Sequence, residues 1–401
     1  MLKAKNPFLF IFITILIDCT GIGIIFPVAA SIVTEVSHVS VNEAVTYSGW
    51  MMTCYAIMLF IFSPVLGGIS DRFGRRPVLL LSLFGLGCDY IFLSLAQTLP
   101  LLFLGRIIAG ICGASFSTGF AYVADISPPE KRAQNFGMMG AAFGLGFIIG
   151  PFLGGMFSTF GTRAPFVAAA CLSLLNWLYG FFILPESLKP ENRRVFDIKR
   201  ANPFGAFVQL KKNKSVRILI VCMFMLYLAG QVMPAIWPFY TKYLYKWNDR
   251  EIGYSLAFVG VMISIVQGGL IKWAQKKFGP HRTVYIGLAF YMTGLILFSI
   301  ASESWMVYVF TLVYCLGGIA PPSLQGIISG RIPPNEQGEL QGMMTALTSL
   351  STILSPLIMC NLFYFFTSEK SPVHFPGASF AAAAVIIFLG ALLCLRALRK
   401  S

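Results

Sequence analysis

Four charges fall within the six residues Asp71-Arg72-Phe73-Gly74-Arg75-Arg76, and long apolar runs press on this turn from both sides. Behind it, Tyr47 to Ile69 is almost free of charge; ahead of it, so is Val78 to Ala96. A turn this charged cannot lie in hydrocarbon, so it marks a water-facing loop between two membrane spans. Any fold for the chain must therefore satisfy its backbone inside a bilayer.

The pattern recurs along all 401 residues, of which 57% are hydrophobic and 11% charged. Soluble domains carry nearer a quarter charged residues. A span needs about 20 mostly apolar residues. Twelve such runs are read at about 7–33, 45–69, 76–97, 100–125, 132–159, 163–185, 215–244, 251–273, 282–301, 304–330, 338–366 and 374–397. The expected fold class is all-α, with twelve transmembrane helices in two six-helix pseudo-repeats. The nine cysteines are scattered, mostly inside apolar runs, with no CxxC, and His38, His281 and His374 fall near span ends. Neither a disulfide framework nor a metal site is expected. The apolar run Phe8 to Ala30 is too long for a cleaved signal and lacks an obvious cleavage site.

The formal charge of +14 could suggest nucleic acid or anionic lipid, but its placement explains it. An even number of spans puts both termini on one side. The loops on that side hold 24 of the 30 basic residues, whereas the opposite loops hold five: Arg163, Lys242, Lys246, Arg250 and Lys370. The positive-inside rule then places both termini in the cytoplasm and leaves no need for a nucleic-acid partner.

Two loops repeat at an offset of 205: Phe73-Gly74 returns as Phe278-Gly279, and Pro128-Pro129 with Gly137-Met138-Met139 returns as Pro333-Pro334 with Gly342-Met343-Met344. The second copy has lost the acid, with Lys276 where the first has Asp71. This gives an N-terminal six-helix bundle at 1–185, a polar cytoplasmic linker at 186–214 and a C-terminal bundle at 215–401. A short interfacial helix is expected around Pro203 to Leu210 in the linker. Parallel repeats of this kind place a site between the halves near the midplane.

Ionisable groups deep in spans are expensive and mark function by default. Asp18 lies about 16 Å into the first span at 1.5 Å per residue. Asp89 in the third span and Arg106 in the fourth fall within several ångströms of the same depth. Two acids and one base satisfy each other only in part, as a proton carrier needs; a static ion pair that fixes helix packing is the plainer alternative. The second half offers no deep ion but Gln231, Gln267, Gln325 and Asn361, with Trp237, Tyr240, Tyr291 and Tyr314. Proton work is thus assigned to the first half and substrate contacts to the second, although each of these polar groups alone is explained by an interhelical hydrogen bond. In the fifth span, Gly144, Gly146, Gly150 and Pro151 give either tight packing or a seal and flexing point between the halves.

Taken together, Asp18-Cys19-Thr20-Gly21-Ile22-Gly23-Ile24-Ile25-Phe26-Pro27, the Asp71 turn, Leu86-Gly87-Cys88-Asp89-Tyr90, Gly105-Arg106, Ala124-Asp125, the fifth-span glycines and Pro322-Ser323-Leu324-Gln325-Gly326 resemble the drug/proton antiporters of the major facilitator superfamily, most of all the tetracycline-efflux branch. The resemblance implies that Arg75 pairs with Asp125 and that Asp71 faces the start of the eleventh span. Asp71, Arg75, Asp125 and Arg132 would then latch one state of the transporter. It also implies a monomer that needs no cofactor beyond the proton gradient, while few outer-loop charges and no large extramembrane domain lead to the expectation of a bacterial inner membrane. Its partners are a small-molecule substrate, protons and lipid. Tetracycline exporters carry an acid in the ninth span, where Tyr291 stands here, and a His in the eighth, where Ile263 stands. In that family these positions bear on proton coupling and on the metal-bound drug, so a carrier for another amphipathic or aromatic compound is expected.

An importer or facilitator of a nutrient on the same scaffold is the alternative, and a non-transporting membrane receptor a more distant one. An enzyme is not expected, because the chain shows no nucleophile–base arrangement, metal spacing or phosphate loop.

Overall fold

A membrane core leaves every backbone polar group to be satisfied internally, and helices do so within each segment. In the computed structural model, which describes residues 7–113, 115–193, 214–333 and 337–398, the chain follows that rule with sixteen α-helices and no strand among the described residues. The helices are α1 (Pro7–Ile25), α2 (Ala29–Ser37), α3 (Val41–Phe73), α4 (Arg75–Leu95), α5 (Leu99–Gly113), α6 (Ser115–Ile126), α7 (Pro129–Phe157) and α8 (Ala164–Ile183). They continue with α9 (Lys214–Gly230), α10 (Val232–Tyr245), α11 (Asp249–Ile265), α12 (Ile271–Ser299), α13 (Ser304–Leu316), α14 (Ala320–Ser329), α15 (Gln337–Thr367) and α16 (Ala378–Leu398).

Eleven helical runs are long and apolar enough to cross a membrane. One of them, Asp249–Ser299, has 51 residues. At 1.5 Å per residue it would reach roughly 77 Å, more than twice the roughly 30 Å of hydrocarbon. It is broken at Gly279, whose φ of 77° and ψ of 164° are not helical, just before Pro280. Counted as two, the runs give twelve spans. Gly74, the repeat partner of Gly279, ends α3 with a φ of 108°. The offset seen in sequence is thus repeated in backbone conformation.

Several spans expected to be continuous are interrupted, each where proline or glycine removes a helical bond. In the first span Pro27 cannot donate to Gly23, and Phe26 N–H bonds Gly23 O instead at 3.2 Å. In the seventh, Pro234 cannot donate to Gly230, and α9 and α10 part at Gln231. In the tenth, Pro321 and Pro322 follow a 3₁₀ turn at Gly317–Ile319. The eighth carries a π-helical turn at Val266–Leu270.

Two compact units form: Met1–Val39, Cys54–Pro203 and Asn248–Ala257 make the first, and Ser40–Thr53, Phe204–Trp247 and Phe258–Ser401 the second. The first thus includes Asn248–Ala257 and the second Ser40–Thr53. In the second unit, Asn42 Nδ2 donates to Thr367 O at 3.3 Å and Thr53 Oγ1 to Ile353 O at 3.1 Å. In the first, the rings of Phe152 and Tyr254 stack at 5.5 Å and Ser31 Oγ donates to Asp249. The interfacial helix expected at 203–210 lies outside the described residues.

The core of the first unit gathers Phe10, Ile15, Cys19, Tyr122 and Met139. Its tightest seam joins α7 to α1. A Cβ on Gly146 would lie 2.5 Å from Cys19 Cβ, one on Gly150 2.6 Å from Gly23 Cα, and one on Gly154 2.1 Å from Ile24 O. These three glycines therefore serve close packing inside the unit. Gly144 does not share that seam, since a Cβ there meets nothing within 4 Å. Pro151 sits within the unbroken helix α7, and its carbonyl meets Gly253.

Candidate functional site

The first unit pairs two of the three deep ions, Asp89 and Arg106. Gly105 lets α5 approach α4, because a Cβ there would lie 2.4 Å from Leu93 Cδ2 and 3.2 Å from Asp89 Oδ1. The next residue, Arg106, sets its Nη2 3.9 Å from Asp89 Oδ2. That is a loose pair. The Asp89 side chain is fully buried, and neither of its oxygens nor Arg106 Nη2 makes a hydrogen bond. Asp18 is 6% exposed and makes no ion pair among the described residues.

Two phenols missing from the sequence-derived site complete the cluster. Tyr55 is held where Gly110 presses on its carbonyl, and it interacts electrostatically with Asp18, Asp89 and Arg106. Tyr90 interacts with the same three, and its ring lies against Gly21, one turn beyond Asp18. A tyrosine in an apolar run reads as packing, and only the neighbour of Asp89 in the motif hinted otherwise.

A second network centres on Arg75. Its Nη1 meets Asp71 Oδ1 at 2.5 Å and donates to Ser70 Oγ at 2.6 Å; its Nε meets Asp125 Oδ2 at 3.1 Å. The Arg75–Asp125 pair that the resemblance implies is thus present, and Asp71 joins the same guanidinium. The sequence reading missed Glu186. It accepts the backbone N–H of Arg75 at 2.9 Å and of Arg76 at 3.2 Å, capping the start of α4 where the helix dipole favours an anion. It also accepts the N–H groups of Ser187 and Leu188, both at 3.0 Å. Ser187 Oγ in turn donates to Asp125 Oδ2 at 3.0 Å. The side chain of Arg132 lies outside the described residues.

In the second unit the expected substrate residues divide. Gln231, at the break between α9 and α10, donates to Thr352 Oγ1 at 3.2 Å. Tyr291 and Tyr314 meet edge to face, with hydroxyls 3.4 Å apart. A Cβ on Gly230 would lie 2.8 Å from Tyr291 Oη, and one on Gly317 2.6 Å from Tyr291 Cβ. Tyr291 therefore stands where the breaks of the seventh and tenth spans converge. Gln325 donates to Gln341 at 3.3 Å, Asn361 turns back to Leu357 O at 2.6 Å, and Gln267 is exposed on the π turn.

Trp237 and Tyr240, also expected to meet substrate, lie in the interior of the second unit. Both are 0% exposed, packed edge to face against Phe380, and Tyr240 Oη donates to Phe298 O at 2.6 Å. Their rings pack with Phe298 and Phe380 in the core of that unit.

A twelve-span helical fold with buried ions in one repeat and a charged turn between its second and third spans defines a membrane transporter. The sequence profile of the Major Facilitator Superfamily matches residues 11–356 and, in an overlapping match, 270–401. The chain belongs to that superfamily. It is 36% identical over 399 residues to the class C tetracycline resistance protein of Escherichia coli, covering 100% of this chain and 98% of that one. It is 33% identical over 348 residues to the class B protein of Escherichia coli, covering 87% and 86%. The fold is shared with the human organic anion transporter MFSD10 at a TM-score of 0.71, with 21% identity over 96% of this chain and 98% of that one. It is shared too with the nucleoside transporter NupG at 0.76, with 14% identity over 98% and 99%.

Proposed function

We propose that this chain is a proton-coupled antiporter that exports a small amphipathic or aromatic compound by alternating access. The observation that carries the reading is the cluster of Asp18, Asp89 and Arg106. With both acids ionised, one guanidinium 3.9 Å from Asp89 leaves a negative charge uncompensated in the interior. Such a charge costs several kcal/mol in a low-dielectric site. A proton taken up by either acid removes it, so the cluster has two protonation states that differ in what they demand of the helices around them. That is the element an exchanger needs.

Asp71, Arg75 and Asp125 supply the conformational latch, with Glu186 holding the start of α4 in place. The second unit supplies substrate contacts through Gln231, Tyr291, Tyr314 and Gln325. Relatives named for tetracycline resistance support an amphipathic, ring-bearing substrate. Tyr291 offers it a neutral phenol and an aromatic edge, so the substrate is one that needs no carboxylate at this point. The placement of 24 of 30 basic residues supports both termini in the cytoplasm of a bacterial inner membrane. The protein acts as a monomer, with the proton gradient as its energy source.

The test uses proteoliposomes containing a pH-sensitive dye, an imposed proton gradient and a panel of compounds, tetracycline included. Compound-dependent proton flux in the wild type that disappears in Asp18→Asn is expected. Compound movement without proton flux, equal in both proteins, would leave a facilitator.

A further inference from the structure

The loop between the eighth and ninth spans is strongly basic, and beyond setting orientation the transport reading gives it no task. From Ile252 to Ser302 the chain has no acidic residue, yet Lys272, Lys276, Lys277 and Arg282 fall there. The three lysines are exposed, and none makes an ion pair among the described residues.

Immediately before them lies the π turn Val266–Leu270. Such turns insert a residue into a helix and cluster at functional sites. Beside this one is an open groove of about 500 Å³, a ligand-sized volume. Val266, Gly269, Leu270 and Trp273 form one wall, and Leu312 and Leu316 from α13 the other. Glycines inside a helix cost about 1 kcal/mol each relative to alanine. Gly268 and Gly269 carry that cost without a positive φ and without a close neighbour, for a Cβ at either would meet nothing within 4 Å. Packing does not call for them. Gly269, which lines the groove, keeps it open.

The groove also has a direction. Lys276 and Lys277 stand three and four residues beyond Trp273, so they continue its helical face. The Lys277 ammonium lies 5.0 Å from the Trp273 ring centroid and 5.5 Å from that of Phe278. Aromatic rings beside lysines mark the boundary of the hydrocarbon. An apolar trough thus ends at a cationic rim at the level of lipid headgroups.

We infer that this groove binds an anionic phospholipid, one acyl chain lying between the π turn and α13 and the headgroup phosphate resting on Lys272, Lys276 and Lys277. The lysines select for charge, since each near the surface contributes about fivefold to the affinity for an anionic lipid. A zwitterionic lipid would fill the trough without that gain.

The experiment places the full chain in nanodiscs and follows quenching of tryptophan fluorescence by phosphatidylglycerol or phosphatidylcholine with brominated chains. Trp273→Phe isolates the contribution of Trp273. Brominated phosphatidylglycerol is expected to quench Trp273 at roughly 100-fold lower mole fraction than brominated phosphatidylcholine, about fivefold for each of the three lysines. Lys276→Gln and Lys277→Gln should each cut that preference about fivefold. Gly269→Leu, whose Cβ meets nothing within 4 Å and whose side chain enters the trough, should weaken quenching by both lipids while the melting midpoint holds. Equal quenching by the two lipids would overturn the inference, and so would a preference that survives loss of all three lysines. Full quenching in a Gly269→Leu protein that melts like the wild type would also overturn it. Displacement of the brominated lipid by tetracycline, insensitive to the lysines, would assign the groove to transported compounds instead.

Discussion

At the scale of single residues, Gly74 and Gly279 separate backbone strain from crowding. Both hold a φ that L side chains rarely adopt, 108° and 77°. A Cβ at Gly74 would also lie 2.3 Å from Glu186 Oε2, whereas one at Gly279 meets nothing. Gly279→Ala should therefore cost about 1–3 kcal/mol of strain alone. Gly74→Ala should cost more and displace the carboxylate that caps α4. Melting midpoints of the two variants in detergent check this, and equal shifts would refute it. For the ion cluster, Arg106→Gln strips buried Asp89 of its one cation and should lower both stability and substrate-driven proton flux, the flux by at least about tenfold. Adding Asp89→Asn removes charge in pairs, so the double variant should melt above Arg106→Gln alone, although transport does not return; a double-mutant cycle measures the coupling. Asp18, Asp89 and Arg106 were legible in the sequence because ions stand out in apolar runs. Glu186 was not, because its partners are backbone N–H groups 111 and 110 positions away.

At the scale of elements, the fifth-span glycines were legible as a group but not by role. Spacing alone does not say which of them meets another backbone. In the structure, Gly146, Gly150 and Gly154 press on α1, and Gly144 faces open space. Gly150→Ala should therefore force α7 from α1 and lower the melting midpoint, since its Cβ would stand 2.7 Å from Thr20 O as well. Gly144→Ala meets no clash and should hold or raise stability by about 0.5–1 kcal/mol, the ordinary cost of glycine in a helix. If Gly144 serves as a flexing point, the alanine variant will lose transport while gaining stability; equal transport leaves it without a hinge role. The helix breaks were written in the sequence too, at Pro27, Pro234 and Pro321. Hydropathy alone runs across them, because it registers the apolar length and not the missing N–H.

At the scale of the whole molecule, topology follows from how Asp249–Ser299 is divided. As one crossing it would make eleven spans, and the two termini would lie on opposite sides of the membrane. The break at Gly279, with its basic neighbours Lys276, Lys277 and Arg282, makes two crossings and returns the chain to the side it left. The internal repeat points the same way, since the residue 205 positions earlier is Gly74, which ends the second span. No single loop fixes orientation; the sum over short loops does, and 24 basic residues stand against five. Reporter fusions read this directly. Alkaline phosphatase joined after Ser401 should be inactive, and green fluorescent protein at the same point should fluoresce. Phosphatase joined at Ser302, between the ninth and tenth spans, should be active. An eleven-span chain with its N-terminus inside would reverse the C-terminal pair, because one crossing fewer carries Ser401 to the outside. The result would then place the charged turn at Phe278-Gly279 within a crossing, where three cations without acids would each cost roughly 3 kcal/mol.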